Sequence, residues 1–375
     1  MNNKVKTEQV AIILMLIVPV GKYLSLPSLM AKGAGRDYWI SICLIFAVDF
    51  ICFLFLMWAL KLNTERLSLK DIFDRTIGKA VSKILFLIMF LYIYLRAAVI
   101  MESCLELFSV TFAIKTNWPA FIIPIAALSL FMARKGMNNF ARLCEILFVI
   151  IYLSFGIMLF LAARNADFSN IKPILDDGIE PVLETAMKNT FWFSDFCFIA
   201  YIMGDFKPNK KYVLTLSTAY IVAMALTVFM NILFIALFDQ LTVQSQSVLS
   251  KVSQFSVKLT TSGRIDWLFV SILLFTLFIK TALQFFCCNR CLKYIFEISE
   301  HKNPYWTNLV VALPMIIVPV FVKVKDTVFD LFSRDGYGFV FWIIQYGVPL
   351  LSPLMTYLAN KKEKGRVVYP RRLEE

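Results

Sequence analysis

The chain contains 375 residues, of which 59% are hydrophobic and only 17% are charged, and its formal net charge is +12 at pH 7. Soluble proteins carry a charged fraction near a quarter, so this composition excludes an ordinary soluble domain. Apolar runs of about 20 residues, the length that a helix needs to cross a bilayer, recur along the whole chain. Because these runs are continuous rather than alternating, they indicate an all-α polytopic membrane protein and not a β-barrel.

About ten membrane spans are predicted, within a single integral membrane domain that covers residues 1–375. Spans 1–5 occupy about 10–163, spans 6–10 occupy about 186–359, and residues 360–375 are predicted to form a disordered cytoplasmic tail. In chain order, the predicted spans lie at about 10–30, 38–60, 81–112, 118–133, 143–163, 186–204, 212–238, 265–292, 306–322 and 338–359.

The basic residues give the predicted orientation. Lys and Arg are more frequent in the connections on the side of the N-terminus than in those on the other side. Because cytoplasmic loops carry an excess of Lys and Arg, this distribution predicts an integral membrane protein with both termini in the cytoplasm. The positive net charge is therefore explained by topology and by attraction to anionic lipid, and no nucleic-acid partner is predicted.

Span 1 contains the sequence Pro19-Val20-Gly21-Lys22-Tyr23, which a simple anchor helix would avoid. Proline removes a backbone donor and glycine relaxes the chain, so the helix is predicted to break here. Backbone groups freed in mid-membrane are tolerated only around a protein-lined or watery cavity. The break with its lysine is therefore a candidate substrate site, and the alternative is that Lys22 only forms a structural salt bridge to Asp49 or Asp195.

Further ionisable residues fall inside the later spans. Each costs on the order of 2.5–3.5 kcal/mol at the centre of a helix in lipid, so they are predicted to face the bundle interior. In span 3, Glu102 and Glu106 lie four residues apart on one helix face, which is typical of a proton or cation relay or of two wet groups near the interface. The candidate relay or gating residues are Asp49, Arg96, Glu102 and Lys280.

Span 6 carries Phe193, Ser194 and Asp195 after a cluster of aromatic residues, a pattern typical of small-ligand pockets. This span has no internal proline, so a break in it has less support than the break in span 1. Lys280 in span 8 is interpreted either as a tethered cation that takes the place of a sodium ion or as a counter-ion to Asp195.

An inverted repeat of five plus five spans is also predicted. Spans 4 and 9 each contain two prolines separated by five residues, and spans 3 and 8 each place one cation, Arg96 or Lys280, at a similar depth.

No motif indicates catalysis, a bound cofactor or a metal. The sequence contains no P-loop, no dinucleotide-binding glycine motif and no HExxH pair. Eight cysteines lie in or beside apolar runs and are interpreted as reduced structural thiols, and His301 is the single histidine, so a zinc site has little support. The chain is therefore predicted not to be an enzyme.

Four stretches together resemble a known family. LPSLMAKGAGRDYWIS at 26–41, ARKGMNNFARLCEILF at 133–148, NIKPILDDGIEP at 170–181 and GRIDW at 263–267 are similar to sequences of the B subunits of Ger-type spore germinant receptors. Those proteins belong to the amino acid–polyamine–organocation transporter superfamily. The resemblance implies a LeuT-like fold with broken helices 1 and 6 and a pocket between spans 1, 3, 6 and 8. It also implies nutrient detection in the spore inner membrane, beside A and C receptor subunits.

Two positions depart from the family pattern. Relatives often have a pair of small residues where this chain has Val20-Gly21-Lys22, and span 6 has Asp195 where a glutamate is expected. Both departures bear on the identity of the ligand.

The leading hypothesis is a germinant-receptor subunit that binds a small nutrient, an amino acid in the simplest case, and signals to its partner subunits. Two alternatives remain open: a proton-coupled amino acid transporter, and a structural membrane scaffold that binds no ligand. The predicted substrate-binding residues are Pro19, Val20, Gly21, Lys22, Tyr23, Phe193, Ser194 and Asp195.

Overall fold

The computed structural model describes residues 4–24, 26–64, 66–112, 119–238, 266–299, 305–321 and 337–367. The connections between predicted spans 3 and 4 (113–117) and between predicted spans 7 and 8 (239–264), together with His301 and residues 368–375, lie outside these ranges. In chain order the helices are α1 (Thr7–Ile17), α2 (Leu26–Ala34), α3 (Tyr38–Leu62), α4 (Leu69–Ile77), α5 (Lys79–Phe112), α6 (Pro119–Lys135), α7 (Met137–Ala163), α8 (Glu180–Lys188), α9 (Phe198–Tyr201), α10 (Tyr212–Phe238), α11 (Asp266–Ile295), α12 (Tyr305–Phe321) and α13 (Tyr337–Val367).

The described chain is a helical membrane protein. Four stretches are long and apolar enough to cross a membrane by length and composition, and they coincide with predicted spans 2, 3, 5 and 7: Leu26–Leu62, Lys79–Leu105, Met137–Ala163 and Tyr212–Phe238. Helices also cover the predicted positions of spans 4, 8, 9 and 10. The total of ten spans stays a prediction.

Span 1 is interrupted as the sequence predicts. Helix α1 ends at Ile17, residues 18–24 form a bend followed by turns, and α2 begins at Leu26. Gly21 has a φ of +89°, a conformation that only glycine adopts readily. Lys22 N donates to Pro19 O at 3.1 Å, so short turn bonds replace the helical ladder in this segment.

Span 6 is also interrupted, although it contains no internal proline. Helix α8 ends at Lys188, irregular backbone and short 3₁₀ turns follow, and α9 begins at Phe198. Ser194 has a φ of +61°, which is unusual for a residue with a side chain. The prediction of broken helices 1 and 6 is confirmed.

One end of the bundle, here termed the N-terminal face, collects the start of the chain and the ends of several helices. The two-residue strands β1 (Val5–Lys6) and β2 (Phe206–Lys207) pair in parallel there. Arg290 Nη1 donates to Asp205 Oδ2 at 2.6 Å, which joins the end of α11 to the segment before β2. Asn360 Nδ2 donates to Leu62 O at 2.7 Å, which joins α13 to the end of α3.

The opposite face is built from the span 1–2 junction and the connection after α7. Arg36 Nη1 donates to Lys172 O at 3.0 Å, and Asp37 Oδ2 accepts from Leu175 N at 3.0 Å. Two of the stretches that carry the family resemblance therefore pack against each other.

The C-terminal tail corrects one expectation. Helix α13 continues through Val367, so the first part of the tail is helical rather than disordered. The reason lies in its composition, because Lys361, Lys362, Glu363 and Lys364 are good helix formers and no proline occurs between Pro353 and Pro370.

Close packing of α2 on α8 gives a testable prediction. A Cβ added at Gly33 would overlap Thr185 Oγ1 and would lie 3.4 Å from Thr185 Cβ. We expect Gly33→Ala to lower the free energy of unfolding by about 1–3 kcal/mol, the usual cost of overpacking, as measured by denaturant unfolding of the purified protein.

Two further variants control this prediction. Gly33→Ala combined with Thr185→Ala should recover most of the lost stability, because the overlapping hydroxyl is then removed. Gly156→Ala is the matched control, since a Cβ there meets nothing within 4 Å. A loss at Gly156 as large as that at Gly33 would contradict the packing argument.

Candidate functional site

The carboxylate of Asp195, in the break of span 6, is contacted by three cations. Lys22 Nζ lies 2.7 Å from Oδ2, Arg96 Nη2 lies 2.7 Å from Oδ1, and Lys280 Nζ lies 2.9 Å from Oδ1. No more than 10% of any of these four side chains is exposed to solvent. Four separate parts of the chain therefore meet at a single buried carboxylate.

The broken helix of span 1 supplies additional acceptors for two of these cations. Lys22 Nζ donates to Val18 O at 2.6 Å, and Lys280 Nζ donates to Val20 O at 2.7 Å. A continuous helix would use these carbonyls in its own ladder, so the break makes them available. The two lysines thus hold the break of span 1 against the break of span 6.

A second buried carboxylate, Asp49 of α3, lies behind Ser194. It accepts hydrogen bonds from Ser194 N at 2.7 Å, Ser194 Oγ at 2.8 Å, Tyr346 OH at 2.8 Å and Tyr220 OH at 3.1 Å. These four donors balance the cost of burying the carboxylate. The bond to the amide of Ser194 also holds that residue in its left-handed conformation, which accounts for the break of span 6 without a proline.

Two aromatic rings complete the surroundings of Lys22. Its Nζ lies 4.9 Å from the ring centroid of Phe193 and 5.8 Å from that of Phe46, within the range of a cation–π interaction. Three cations and two carboxylates, all buried, leave the cluster with a formal excess of one positive charge when every group is ionised.

A cavity of about 70 Å³ adjoins this cluster. Because Met89 and Tyr92 precede Arg96 on α5, and Gln284 and Cys287 follow Lys280 on α11, the cavity lies between the cluster and the N-terminal face. It has room for several water molecules or a ligand of a few heavy atoms. The polar groups on its wall include Arg96, Ser194, Asp195, Lys280, Gln284 and Gln345.

Two glutamines on the cavity wall differ in their bonding. Gln345 Nε2 donates to Ser194 Oγ at 2.7 Å and to Thr190 O at 2.8 Å, and its Oε1 accepts from Tyr92 OH at 2.8 Å. Gln284 is 9% exposed, and its Oε1 is buried with no hydrogen-bond partner in the described part of the chain. Gln284 therefore places an amide oxygen without a described partner in the wall of the cavity, and a rotation of the side chain would present it to a ligand.

Of the twelve predicted site residues, four line this cavity: Arg96, Ser194, Asp195 and Lys280. Pro19 and Tyr23 line a smaller cavity of about 10 Å³ against α7, on the other side of the break. Val20 and Lys22 take part through the contacts given above.

The other predicted residues lie around the cluster. A Cβ at Gly21 would lie 3.9 Å from Lys280 Nζ, an ordinary van der Waals contact, so the φ of +89° and not the lysine requires glycine here. Phe193 packs on Lys22, and Asp49 holds Ser194. Glu102 is partly buried about 9 Å beyond Arg96 along α5, and the side chain of Glu106 lies outside the described residues.

Sequence reasoning missed the polar residues of spans 7 and 10. Tyr220, Gln345 and Tyr346 carry no charge, so a search for ionisable groups in lipid passed over them. Gln345 is nevertheless an amide inside an apolar span. Burying an amide without a hydrogen-bond partner also costs free energy, so a search that included uncharged polar residues would have found it.

Comparison with solved structures identifies the fold. The chain is similar to the crystal structure of a manganese transporter from Eremococcus coleocola, with a TM-score of 0.55 and 14% identity, over 95% of this chain and 85% of that chain. A crystal structure of the same transporter with an aromatic bis-isothiourea substituted compound gives a TM-score of 0.55 and 14% identity, over 94% and 84% of the chains. This likeness confirms the LeuT-like transporter fold with its two broken helices.

Comparison of sequences identifies the family. The chain is 26% identical to spore germination protein KB of Bacillus subtilis (strain 168) over 343 residues, 89% of each chain. It is 21% identical to spore germination protein XB of Bacillus anthracis over 203 residues, 54% of this chain and 57% of the relative. The sequence model of the spore permease family, described as spore germination protein, matches residues 4–328. This chain therefore belongs to the spore germination protein family of permease-like membrane proteins.

Proposed function

We propose that this chain is the permease-like subunit of a spore germinant receptor and binds a small nutrient germinant in the cavity beside Asp195. The observation that carries the proposal is the composition of that cavity's wall, which contains two cations and a glutamine whose amide oxygen has no partner among the described residues. The chain's membership of the spore germination family supports the assignment to a receptor.

An amino acid matches the chemistry of this wall. Arg96 and Lys280 attract its carboxylate, and the unpaired Oε1 of Gln284 accepts a hydrogen bond from its ammonium group. Asp195 is a poorer receptor for that ammonium group, because three cations already contact it. The break at Pro19–Tyr23 contributes indirectly, since it positions Lys22 and supplies the carbonyl that holds Lys280.

Binding then acts on the two broken helices. A ligand carboxylate competes with Asp195 for Arg96 and Lys280, and this competition weakens the contacts that hold the breaks of spans 1 and 6 together. The resulting movement passes to the A and C subunits of the receptor in the spore inner membrane, with both termini of this chain in the cytoplasm.

Transport is the second candidate function, favoured by the transporter fold. Accumulation of an amino acid by proteoliposomes that lack partner subunits, driven by a proton gradient, would support a proton-coupled transporter. Manganese, the cargo of the similar solved transporter, is not proposed for this chain, because three cations around Asp195 repel a divalent cation. A structural scaffold remains the third alternative.

A thermal unfolding screen of the purified full chain against an amino acid panel, alone and with coexpressed partner subunits, tests the proposal. We expect one or a few compounds to stabilise the wild type, by about 2.7 kcal/mol at 100 times Kd. Gln284→Met should lose this response with unchanged stability in the absence of ligand, because Gln284 Oε1 has no partner to lose.

Gln345→Met is the matched control in the same cavity. It should lower the baseline stability, because Tyr92, Thr190 and Ser194 lose a hydrogen-bond partner. A flat panel for the wild type in both preparations would contradict ligand binding and favour the scaffold.

The tethered-cation interpretation of Lys280 makes a separate prediction. Its Nζ contacts two oxygens, Val20 O and Asp195 Oδ1. Without the lysine side chain, these oxygens could coordinate a small metal cation. We expect Lys280→Ala to unfold at a temperature that rises with sodium chloride relative to choline chloride, while the wild type shows no such difference.

Lys188→Ala is the control for this substitution, since Lys188 pairs with Glu184 at an exposed position. An equal response to sodium in the wild type, or its absence in Lys280→Ala, would leave Lys280 as a counter-ion only.

A further inference from the structure

A second polar cavity, of about 280 Å³, opens on the N-terminal face between α4, the start of α5 and the end of α11. It is remote in sequence from the breaks of spans 1 and 6, and no predicted site residue lines it. Three lysines, Lys70, Lys79 and Lys83, contribute to its wall, together with the carboxylates of Asp74 and Glu297. This group of residues is termed the lysine cleft.

The lysine cleft carries more positive than negative charge. Lys83 Nζ pairs with Glu297 Oε1 at 2.7 Å, and both side chains are about half exposed. The hydrogen bond and the charge of Lys83 lower the pKa of Glu297, so this carboxylate stays ionised. Within the described residues, neither Lys70 nor Lys79 has a carboxylate oxygen within 4 Å. Two ammonium groups therefore remain available to an anion.

The floor of the cleft is aromatic and fixed in place. The ring of Phe86 lies 4.8 Å from that of Tyr294 and 5.5 Å from that of Phe73. Tyr294 OH accepts a hydrogen bond from Arg290 Nε at 2.7 Å, and Lys70 Nζ lies 6.0 Å from the Tyr294 ring centroid. The lysines thus project from an ordered surface rather than from a loose loop.

The short helix α4 forms one wall because its two faces differ. Leu69, Ile72 and Phe73 are buried, whereas Lys70 and Asp74 line the cleft. Ser68 caps this helix by accepting a hydrogen bond from Asp71 N at 3.2 Å. An amphipathic helix of this kind is suited to the plane of the membrane interface.

Helix α5, which contributes Lys79 and Lys83 to the cleft, also carries an exposed apolar stripe that begins beside it. Leu87 lies one turn beyond Lys83, so the two side chains are neighbours on the helix surface. Ile84, Leu87 and Leu91 are 59%, 46% and 56% exposed, as expected of side chains that face lipid tails. A molecule with a charged head in the lysine cleft and a hydrocarbon tail along this stripe would match both surfaces.

We propose that the lysine cleft binds a phosphate-bearing anionic group, and that the headgroup of an anionic phospholipid is its occupant. Basic pockets between membrane helices bind such headgroups through Lys and Arg. The phosphate contacts Lys70 and Lys79, and the acyl chains lie along the exposed face of α5. A soluble phosphate compound shares the headgroup chemistry but not the contact with the stripe.

Native mass spectrometry of the purified full-length protein, titrated with phosphatidylglycerol, phosphatidylcholine or glycerol 3-phosphate, tests this site. We expect phosphatidylglycerol to bind more tightly than phosphatidylcholine. Its apparent Kd should rise about fivefold for each lysine removed, and hence about 25-fold in the Lys70→Gln/Lys79→Gln variant. Lys70→Arg/Lys79→Arg should retain binding, because the positive charge is kept.

The matched control removes two charges elsewhere on the same face, with Lys210→Gln and Lys211→Gln, both exposed. Equal weakening by the control pair would overturn the site, because it would reduce the effect to general surface charge. Equal binding of the two lipids by the wild type would overturn it as well. Binding of glycerol 3-phosphate as tight as that of phosphatidylglycerol, with the same dependence on Lys70 and Lys79, would support the cleft and identify a soluble phosphate as its occupant.

Discussion

The contact between the Asp195 carboxylate and three buried cations is the interaction on which the centre of this protein depends. A charge taken out of water carries a desolvation cost of several kcal/mol, which ion pairing and hydrogen bonds have to offset. Lys22, Arg96 and Lys280 come from three different parts of the chain, and each reaches the same carboxylate. The positions of the span 1 break, α5 and α11 are therefore coupled through one side chain.

The broken helices and the charges require each other. The irregular segment at 18–24 frees the carbonyls of Val18 and Val20 from helical bonding. Lys22 donates to the first and Lys280 to the second, and both lysines also contact Asp195. On the other side, Asp49 holds the Ser194 amide and so keeps Asp195 directed at the cations. Two carboxylates thus have distinct roles, since Asp49 fixes the backbone of span 6 and Asp195 joins the helices around it.

Much of this arrangement follows from the sequence, and the remainder depends on tertiary contacts. Hydropathy located the long helices, and Pro19 with Gly21 located the break of span 1, because these are local properties of the chain. The charges inside spans identified the residues of the cluster for the same reason. The pairing of Lys22 with Asp195 rather than Asp49 was not predictable, since it depends on how helices pack. The polar partners Gln345 and Tyr346 also come from a span that is distant in sequence.

A double-mutant cycle on Asp195 and Lys22 tests most directly whether this carboxylate holds the cluster together. The measurement is the free energy of unfolding of the purified full chain, for Asp195→Asn, Lys22→Met and the double variant. Asp195→Asn should lose about 3–5 kcal/mol, because three buried cations lose the negative charge that they share. The double variant should be more stable than the sum of the single losses predicts, with a coupling of about 1 kcal/mol or more. A loss below about 0.5 kcal/mol for Asp195→Asn, with strictly additive effects, would contradict the account.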